Sequence, residues 1–312
     1  MEDLKRIETH NLVEMNKTAL QEAIKKDFGL DLEIIDKVTI GYQSQVYKAT
    51  LEGKTVFIKI NEKPITCETE IWGYEKFKEK GIPTPYVIAY QERPGTIGHP
   101  TIIISEAVGN SLNAANLSPE QENKVYEKAG RVLKSVNEVE MEGYGPLVKV
   151  GENFRGSFNT YAEYFAYWQS KAQKGLDFLI ANNWINAEEE IKIKNIIEMT
   201  GRLDIGKASL LHKDIHRAHI FVEDDEITSI IDMGGMLAGD PRFDIANSLV
   251  FQTPTQQEHF KKGYGPLADD PMVLNYLVII TIRKILFRMK VSKKDSAAEL
   301  LISLHDILRK VT

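Results

Sequence analysis

The sequence predicts an α+β fold, with a small five-stranded part carrying one helix followed by a larger, mainly helical part. Three observations carry that prediction. At 312 residues the chain exceeds the size at which a single hydrophobic core stops growing, so one large two-lobed unit or two domains is expected. The first hundred residues hold short β-branched runs bounded by turn residues. After Gly109 the apolar residues recur at helical spacing instead.

The strands are expected at Val38 to Ile40, Gln45 to Leu51, Thr55 to Ile60, Val87 to Tyr90 and Pro100 to Ser105. Glu52-Gly53-Lys54 reads as a hairpin turn between the second and third. A helix over about Thr66 to Lys80 interrupts them, with Ile71, Tyr74 and Phe77 at helical spacing; Gly81 stops it, and Pro83 and Pro85 prevent its resumption. In Ser118-Pro119-Glu120-Gln121 a serine N-cap, a first-turn proline and a capping-box glutamine start a long helix. Val125, Ala129, Val132, Leu133 and Val136 form its apolar stripe. Further helices are expected at Thr160 to Asn182, Ala187 to Thr200, Asp244 to Gln252 and Val273 to Arg288. The change of texture divides the chain into residues 1–104, a linker at 105–112 and residues 113–312, with a ligand cleft expected at the linker.

Composition narrows the function. The chain is 43% hydrophobic and 27% charged, as a folded globular protein is. A formal charge of −6 argues against a nucleic-acid binder relying on a basic face, and is compatible with a cationic ligand. The single cysteine, Cys67, forms no internal disulfide, the charged start lacks a signal-peptide core, and the apolar stretch from Val273 to Ile282 is too short for a membrane span. A cytoplasmic protein with no membrane partner is expected.

The chemistry concentrates between Leu210 and Asp232. Two apolar strands joined by the acidic turn Glu223-Asp224-Asp225-Glu226 make a β-hairpin whose ends lie side by side, so His219 entering and Asp232 leaving become neighbours. Asp214 sits on the loop leading in. Taken singly, each of these residues also reads as a turn, a cap or a structural side chain. Phosphoryl transfer needs an aspartate that orients and deprotonates the acceptor hydroxyl, a metal-binding side chain five residues later, and a second metal-binding carboxylate after the hairpin. Asp214, His219 and Asp232 match those roles in order. The same logic requires a lysine on the third strand paired to a helix glutamate, and Lys59 and Glu70 stand there. The loop Gly41-Tyr42-Gln43-Ser44-Gln45 would cover the phosphates through backbone N–H groups near Ser44 and its hydroxyl; having one glycine, it also reads as an ordinary hairpin.

Together these segments resemble the aminoglycoside phosphotransferase family, small-molecule kinases with a protein-kinase-like fold. The motifs are His212-Lys213-Asp214-Ile215-His216, Ile231-Asp232-Met233-Gly234 and Gly239-Asp240-Pro241-Arg242-Phe243-Asp244, supported by Gly81-Ile82-Pro83-Thr84-Pro85 and Ser105-Glu106-Ala107-Val108-Gly109. The resemblance runs from about Ile34 to about Leu286, and Gly143-Tyr144-Gly145-Pro146 is similar to the hygromycin-type branch. It implies a two-lobed fold, ATP or GTP as donor and Mg²⁺ as cofactor. It also implies Asp214 as catalytic base, Asp232 and His219 as metal ligands, and Lys59, braced by Glu70, on the α- and β-phosphates. The backbone of Glu106 to Val108 would bind the purine, and His212 and Asp244 would brace the catalytic loop.

Three positions depart from the family pattern. His219 replaces the usual asparagine ligand, Asn137 stands where many members have histidine, and Met233 follows Asp232 in place of an aromatic residue. Mg²⁺ prefers oxygen, so the histidine bears on metal preference. An aminoglycoside is the leading expected acceptor, its ammonium groups meeting Glu163, Asp177, Glu188 to Glu190, Asp269 and Asp270, which equally read as a solvated face. Macrolides, homoserine, choline-like alcohols and sugars are open to the same machinery. Rival readings are a zinc hydrolase using His212, Asp214, His216, His219 and Asp232, and a nucleotide-binding pseudokinase.

Overall fold

The computed structural model describes residues 15–38 and 44–311. Gly41, Tyr42 and Gln43 of the expected phosphate loop lie outside the described residues, as do Thr39 and Ile40 of the first expected strand. In chain order, α1 (Lys17–Phe28) precedes β1 (Glu33–Val38), β2 (Ser44–Leu51), β3 (Lys54–Asn61), α2 (Pro64–Glu79), β4 (Val87–Gln91), β5 (Thr101–Ser105) and β6 (Asn110–Ser111). Next come α3 (Pro119–Asn137), β7 (Glu140–Met141), β8 (Tyr144–Val150), β9 (Asn153–Phe158), α4 (Tyr161–Ala181), α5 (Ala187–Gly201) and β10 (Ala208–Leu211). The rest is β11 (Ile220–Glu223), β12 (Glu226–Ile230), β13 (Leu237–Gly239), α6 (Pro241–Leu249), α7 (Pro254–Tyr264), α8 (Pro271–Lys290) and α9 (Lys294–Lys310).

The chain forms two compact units: among the described residues, one holds 15–38, 44–116 and 217–235, the other 117–216 and 236–311. The expected cut at 105–112 differs from this grouping in two respects: residues 105–116 fall wholly in the first unit, and the β11–β12 hairpin joins them. The hairpin of β11 and β12 goes with the N-terminal strands, because β11 pairs with β6 through Phe221 opposite Ser111 and Val222 opposite Asn110.

The first unit is built on an antiparallel sheet in the order β1-β2-β3-β5-β4. Leu51 pairs with Lys54, so the hairpin loop is Glu52-Gly53, both with positive φ, as a tight two-residue turn requires. The helix α1, unexpected from the sequence, lays Leu20, Ala23 and Ile24 onto the sheet beside Ile34, Tyr47, Ala49, Val56 and Ile58. Its ends carry ordinary signals: the Asn16 side chain accepts from the Ala19 N–H, and Gly29 at φ 70° closes the helix. β1 begins at Glu33, five residues before the expected strand start.

In the second unit an antiparallel sheet of short strands, ordered β7-β10-β13-β8-β9, packs against α3, α4 and α6. The Ser118 capping box forms as its sequence requires, and Thr160 and Asn182 cap the two ends of α4. The expected helix at Asp244 starts earlier, at Pro241, because the Asp240 carboxylate caps it by accepting from the Arg242 N–H. The strands β8 and β9 escaped the sequence reading, since Gly145 and Pro146 break their alternation. Aromatic side chains fill the core, with Phe243 edge-on to Trp168 at 5.2 Å and to Tyr276 at 5.8 Å. Among the described residues no helix is long and apolar enough to cross a membrane.

Candidate functional site

In the first unit, β3 alternates buried aliphatic residues with Lys59, and α2 presents Glu70 to it. Lys59 Nζ donates to both Glu70 oxygens, at 2.7 and 2.6 Å, and lies 3.4 Å from Asp232 Oδ1. Burial pushes the ammonium towards neutrality, but the Glu70 charge, then that of Asp232, outweighs it and holds Lys59 above its ordinary value. The Glu70 side chain is 1% exposed. The Tyr74 hydroxyl donates to Glu70 Oε1 at 2.6 Å, and burial followed by the Glu70 charge holds that phenol protonated.

The hairpin of β11 and β12 delivers the next pair. Glu223 pairs with Glu226 across the two-residue turn Asp224-Asp225, and Ile220 pairs with Ile230. His219 and Asp232 therefore flank the hairpin base, with Nε2 and Oδ2 3.5 Å apart. Asp232 has φ +70°, a conformation costly for a residue with a side chain, and its side chain is 46% exposed. Gly234 follows because a Cβ there would meet Thr66 Cγ2 at 2.8 Å on α2. Gly109, with φ +85°, is needed for a similar reason: a Cβ would strike the Val222 carbonyl oxygen at 2.5 Å. Asp232 thus offers one carboxylate oxygen towards the lysine and one towards the imidazole. That donor set, carboxylate oxygen and imidazole nitrogen, fits a divalent cation.

Ser44 opens β2, and its hydroxyl donates to Asn61 Oδ1, while Asn61 Nδ2 donates to Cys67 Sγ at 3.0 Å. Burial first pushes the Cys67 thiol up, to about 12, so it stays protonated. At the linker the Glu106 N–H donates to the Thr55 carbonyl at 3.3 Å, and the Val108 carbonyl accepts from the Thr228 hydroxyl at 2.7 Å. Among the described residues the Glu106 carbonyl and the Val108 N–H make no backbone hydrogen bond.

Asp214 belongs to the second unit, on the loop after β10. Asp244 organises that loop: Oδ2 accepts from the His212 N–H at 2.7 Å, and Oδ1 from the Lys213 N–H at 2.7 Å. Asn137 bridges Asp244 Oδ2 and the Leu210 carbonyl, and accepts from the Tyr264 hydroxyl. Burial pushes the Asp244 carboxyl up to about 6 against these donors. His212 is fully buried and its Nδ1 accepts from the Asp214 N–H at 3.2 Å, so that nitrogen is committed to the loop and not to a zinc ion. Lys213 has φ +74°, a second strained position beside a chemical residue. His216 Nε2 lies 3.6 Å from Asp214 Oδ1.

The acidic side chains expected to meet a polycationic acceptor have other partners. Glu163 and Glu189 close capping boxes, and Glu189 also contacts His305. Asp177 accepts from Gln173, Glu188 pairs with Lys192, Glu190 with Lys194, Asp269 with Lys261 and Asp270 with Arg242. Sequence reasoning missed Tyr74 and Asn61. Tyr74 was legible, four residues beyond Glu70 on one helix face. Asn61 was not, because its role depends on the register that sets it opposite Ser44.

The model of the phosphotransferase enzyme family, which includes the aminoglycoside phosphotransferases, matches residues 35–274. No curated protein sequence matches the chain. Among solved structures, the aminoglycoside phosphotransferase APH(4)-Ia aligns with a TM-score of 0.72 at 15% identity, covering 95% of this chain and 100% of that one. A thermostable mutant of it, in a ternary complex with AMP-PNP and hygromycin B, aligns with a TM-score of 0.70 at 17% identity, over 93% and 98%. The spectinomycin phosphotransferase APH(9)-Ia, in complex with ADP and spectinomycin, aligns with a TM-score of 0.61 at 16% identity, over 95% and 98%. These likenesses establish the protein-kinase-like α+β fold.

Proposed function

The chain belongs to the phosphotransferase enzyme family, and from that premise we propose that it transfers the γ-phosphoryl group of ATP or GTP to a hydroxyl of a small molecule. The observation that carries this reading is the Lys59–Glu70–Asp232 contact, which gathers a phosphate-binding cation, its brace and a metal-type carboxylate in one unit.

Each residue then has a task. Lys59, kept charged by Glu70, binds the α- and β-phosphates, and the fixed Glu70–Tyr74 contact sets its direction. Backbone groups near Ser44 cover the β-phosphate, and the Glu106 carbonyl and Val108 N–H take the purine edge. Asp232 and His219 would hold Mg²⁺, which when bound neutralises charge on the transferring phosphate oxygens. Asp214 accepts the proton of the acceptor hydroxyl as its oxygen attacks phosphorus. Asp244, His212 and Asn137 hold the Asp214 loop in its strained course. The reading assigns nucleotide to the first unit and the acceptor to the second, and sets the reaction in the cytoplasm, where the donor is abundant.

An aminoglycoside acceptor is the second reading, favoured by the hygromycin B and spectinomycin bound in the structural neighbours.

The test is a coupled ADP-release assay over aminoglycosides, macrolides, amino alcohols and hydroxy acids, with both nucleotides. Asp214→Ala is expected to lose about 10²–10⁴-fold in kcat while still binding AMP-PNP. Turnover near the wild-type rate in that variant would remove Asp214 from the chemistry.

A further inference from the structure

Lys284 on α8 lies within electrostatic reach of Asp214, in a chain whose net charge is −6. Lys284 and Arg288 lie one turn apart on α8, and both face the Phe251 ring, with Nζ 4.8 Å and Cζ 5.4 Å from its centroid. Arg283, on the same helix, stacks on Trp168 with Cζ 4.6 Å from the ring centroid. Lys213 immediately precedes Asp214. All of these residues lie in the second unit.

Among the described residues, none of Arg283, Lys284 and Arg288 forms an ion pair with a carboxylate. Arg288 Nε is buried without a hydrogen-bond acceptor there. The largest charge effect on Lys284 comes from Asp214, opposed by Arg288, Lys213 and Arg283. Burial, then these like charges, lowers the Lys284 ammonium to about 8. Half-buried cations set close together repel one another at a cost in stability, which an entering anion offsets. The rings beneath them add an apolar floor on which the carbon skeleton of a small ligand can rest. By contrast, the acidic residues that could have met a polycation are engaged in caps and ion pairs.

Resting on the kinase reading above, we propose that the acceptor is an anionic hydroxyl compound, its carboxylate or phosphate held by Lys284 and Arg288 while its hydroxyl meets Asp214. In the transfer the bond between the γ-phosphorus and the β,γ-bridging oxygen breaks and a new P–O bond forms to the acceptor oxygen. The hydroxyl proton passes to Asp214, and ADP or GDP leaves with the bridging electrons.

The experiment measures kcat/KM by ADP release for glycerate, glycerol 3-phosphate, ethanolamine and hygromycin B, with AMP-PNP binding measured alongside. At least one of the two anions is expected to exceed both amines by 30-fold or more. Glycerate and glycerol 3-phosphate distinguish a carboxylate from a phosphate group. Lys284→Met and Arg288→Met should each lower kcat/KM for the preferred anion at least tenfold, mainly through KM, and Lys284→Arg should restore most of it. A preference for hygromycin B or ethanolamine, equal kcat/KM in Lys284→Met, or no ADP release with any of the four despite AMP-PNP binding overturns the anionic acceptor and leaves the nucleotide site standing. Failure of the wild type to bind AMP-PNP with Mg²⁺ overturns the kinase reading and this inference with it.

Discussion

Lys59 on β3 and Glu70 on α2 meet through both carboxylate oxygens, at 2.7 and 2.6 Å, and the Tyr74 hydroxyl closes on the same carboxylate at 2.6 Å. An ion pair this deep gives little net stability, because desolvation offsets most of the attraction. Its value lies in holding one ammonium in one direction. Removing a single partner leaves a buried charge alone, and that is expensive.

The double-mutant cycle follows from this. Lys59→Met should destabilise the fold by about 3–5 kcal/mol, the usual cost of stranding half of a buried pair. Lys59→Met combined with Glu70→Leu should recover most of that loss in urea denaturation while phosphoryl transfer stays absent. Additive losses in the double variant would show that the contact is not the unit described here.

His219 and Asp232, 3.5 Å apart, predict an altered metal preference. Imidazole suits Mn²⁺ better relative to Mg²⁺ than an amide oxygen does. His219→Asn should therefore lower the ratio of Mn²⁺-supported to Mg²⁺-supported turnover at least threefold. An unchanged ratio would remove His219 from the coordination sphere.

Asp244 predicts a pH-dependent stability term. Its carboxyl is raised to about 6 in the folded state, against about 3.9 in an unfolded chain. A raised native value means that the folded form binds more protons, so this residue's contribution is greatest below the unfolded value and is lost as pH rises through 6. Between pH 5 and pH 7 the stability of wild type relative to Asp244→Asn should fall by about 1 kcal/mol. Paired urea titrations at the two values measure it, and a flat difference would contradict the burial argument.

Lys284 predicts a basic limb in acceptor use. Facing Asp214, Arg288, Lys213 and Arg283, its ammonium is lowered to about 8 in the free protein. With an anionic acceptor kcat/KM should decline as pH rises through 8, and Lys284→Arg should move the decline to higher pH, because a guanidinium keeps its proton. A pH profile identical in the two proteins would exclude Lys284 as the titrating group.

Much of the site was legible before any coordinates. Lys59 was marked by its place on the third strand, His219 and Asp232 by the acidic turn between them, and Asp244 by the resemblance of residues 239–244 to the family motif. The less legible parts depend on contacts distant in sequence. Nothing near Asp177 or Asp269 says that Gln173 and Lys261 pair with them, and nothing near Asp214 says that its charge acts on Lys284 of α8. The helix α1 was missed for a different reason: its caps were present, but its short apolar stripe of Leu20, Ala23 and Ile24 did not outweigh the strand texture around it.

Alone, the order of residue types determined the fold class and the phosphotransferase family, and it marked the candidate side chains proposed for the chemistry, because each role demands a residue type at a set distance from a turn or a strand end. Which groups remain available to a ligand was decided only in three dimensions. Electrostatic balance at a point is a sum over everything nearby, whatever its position in the chain, and at Lys284 that sum joins Asp214 and Lys213 of the loop after β10 to Arg283 and Arg288 of α8.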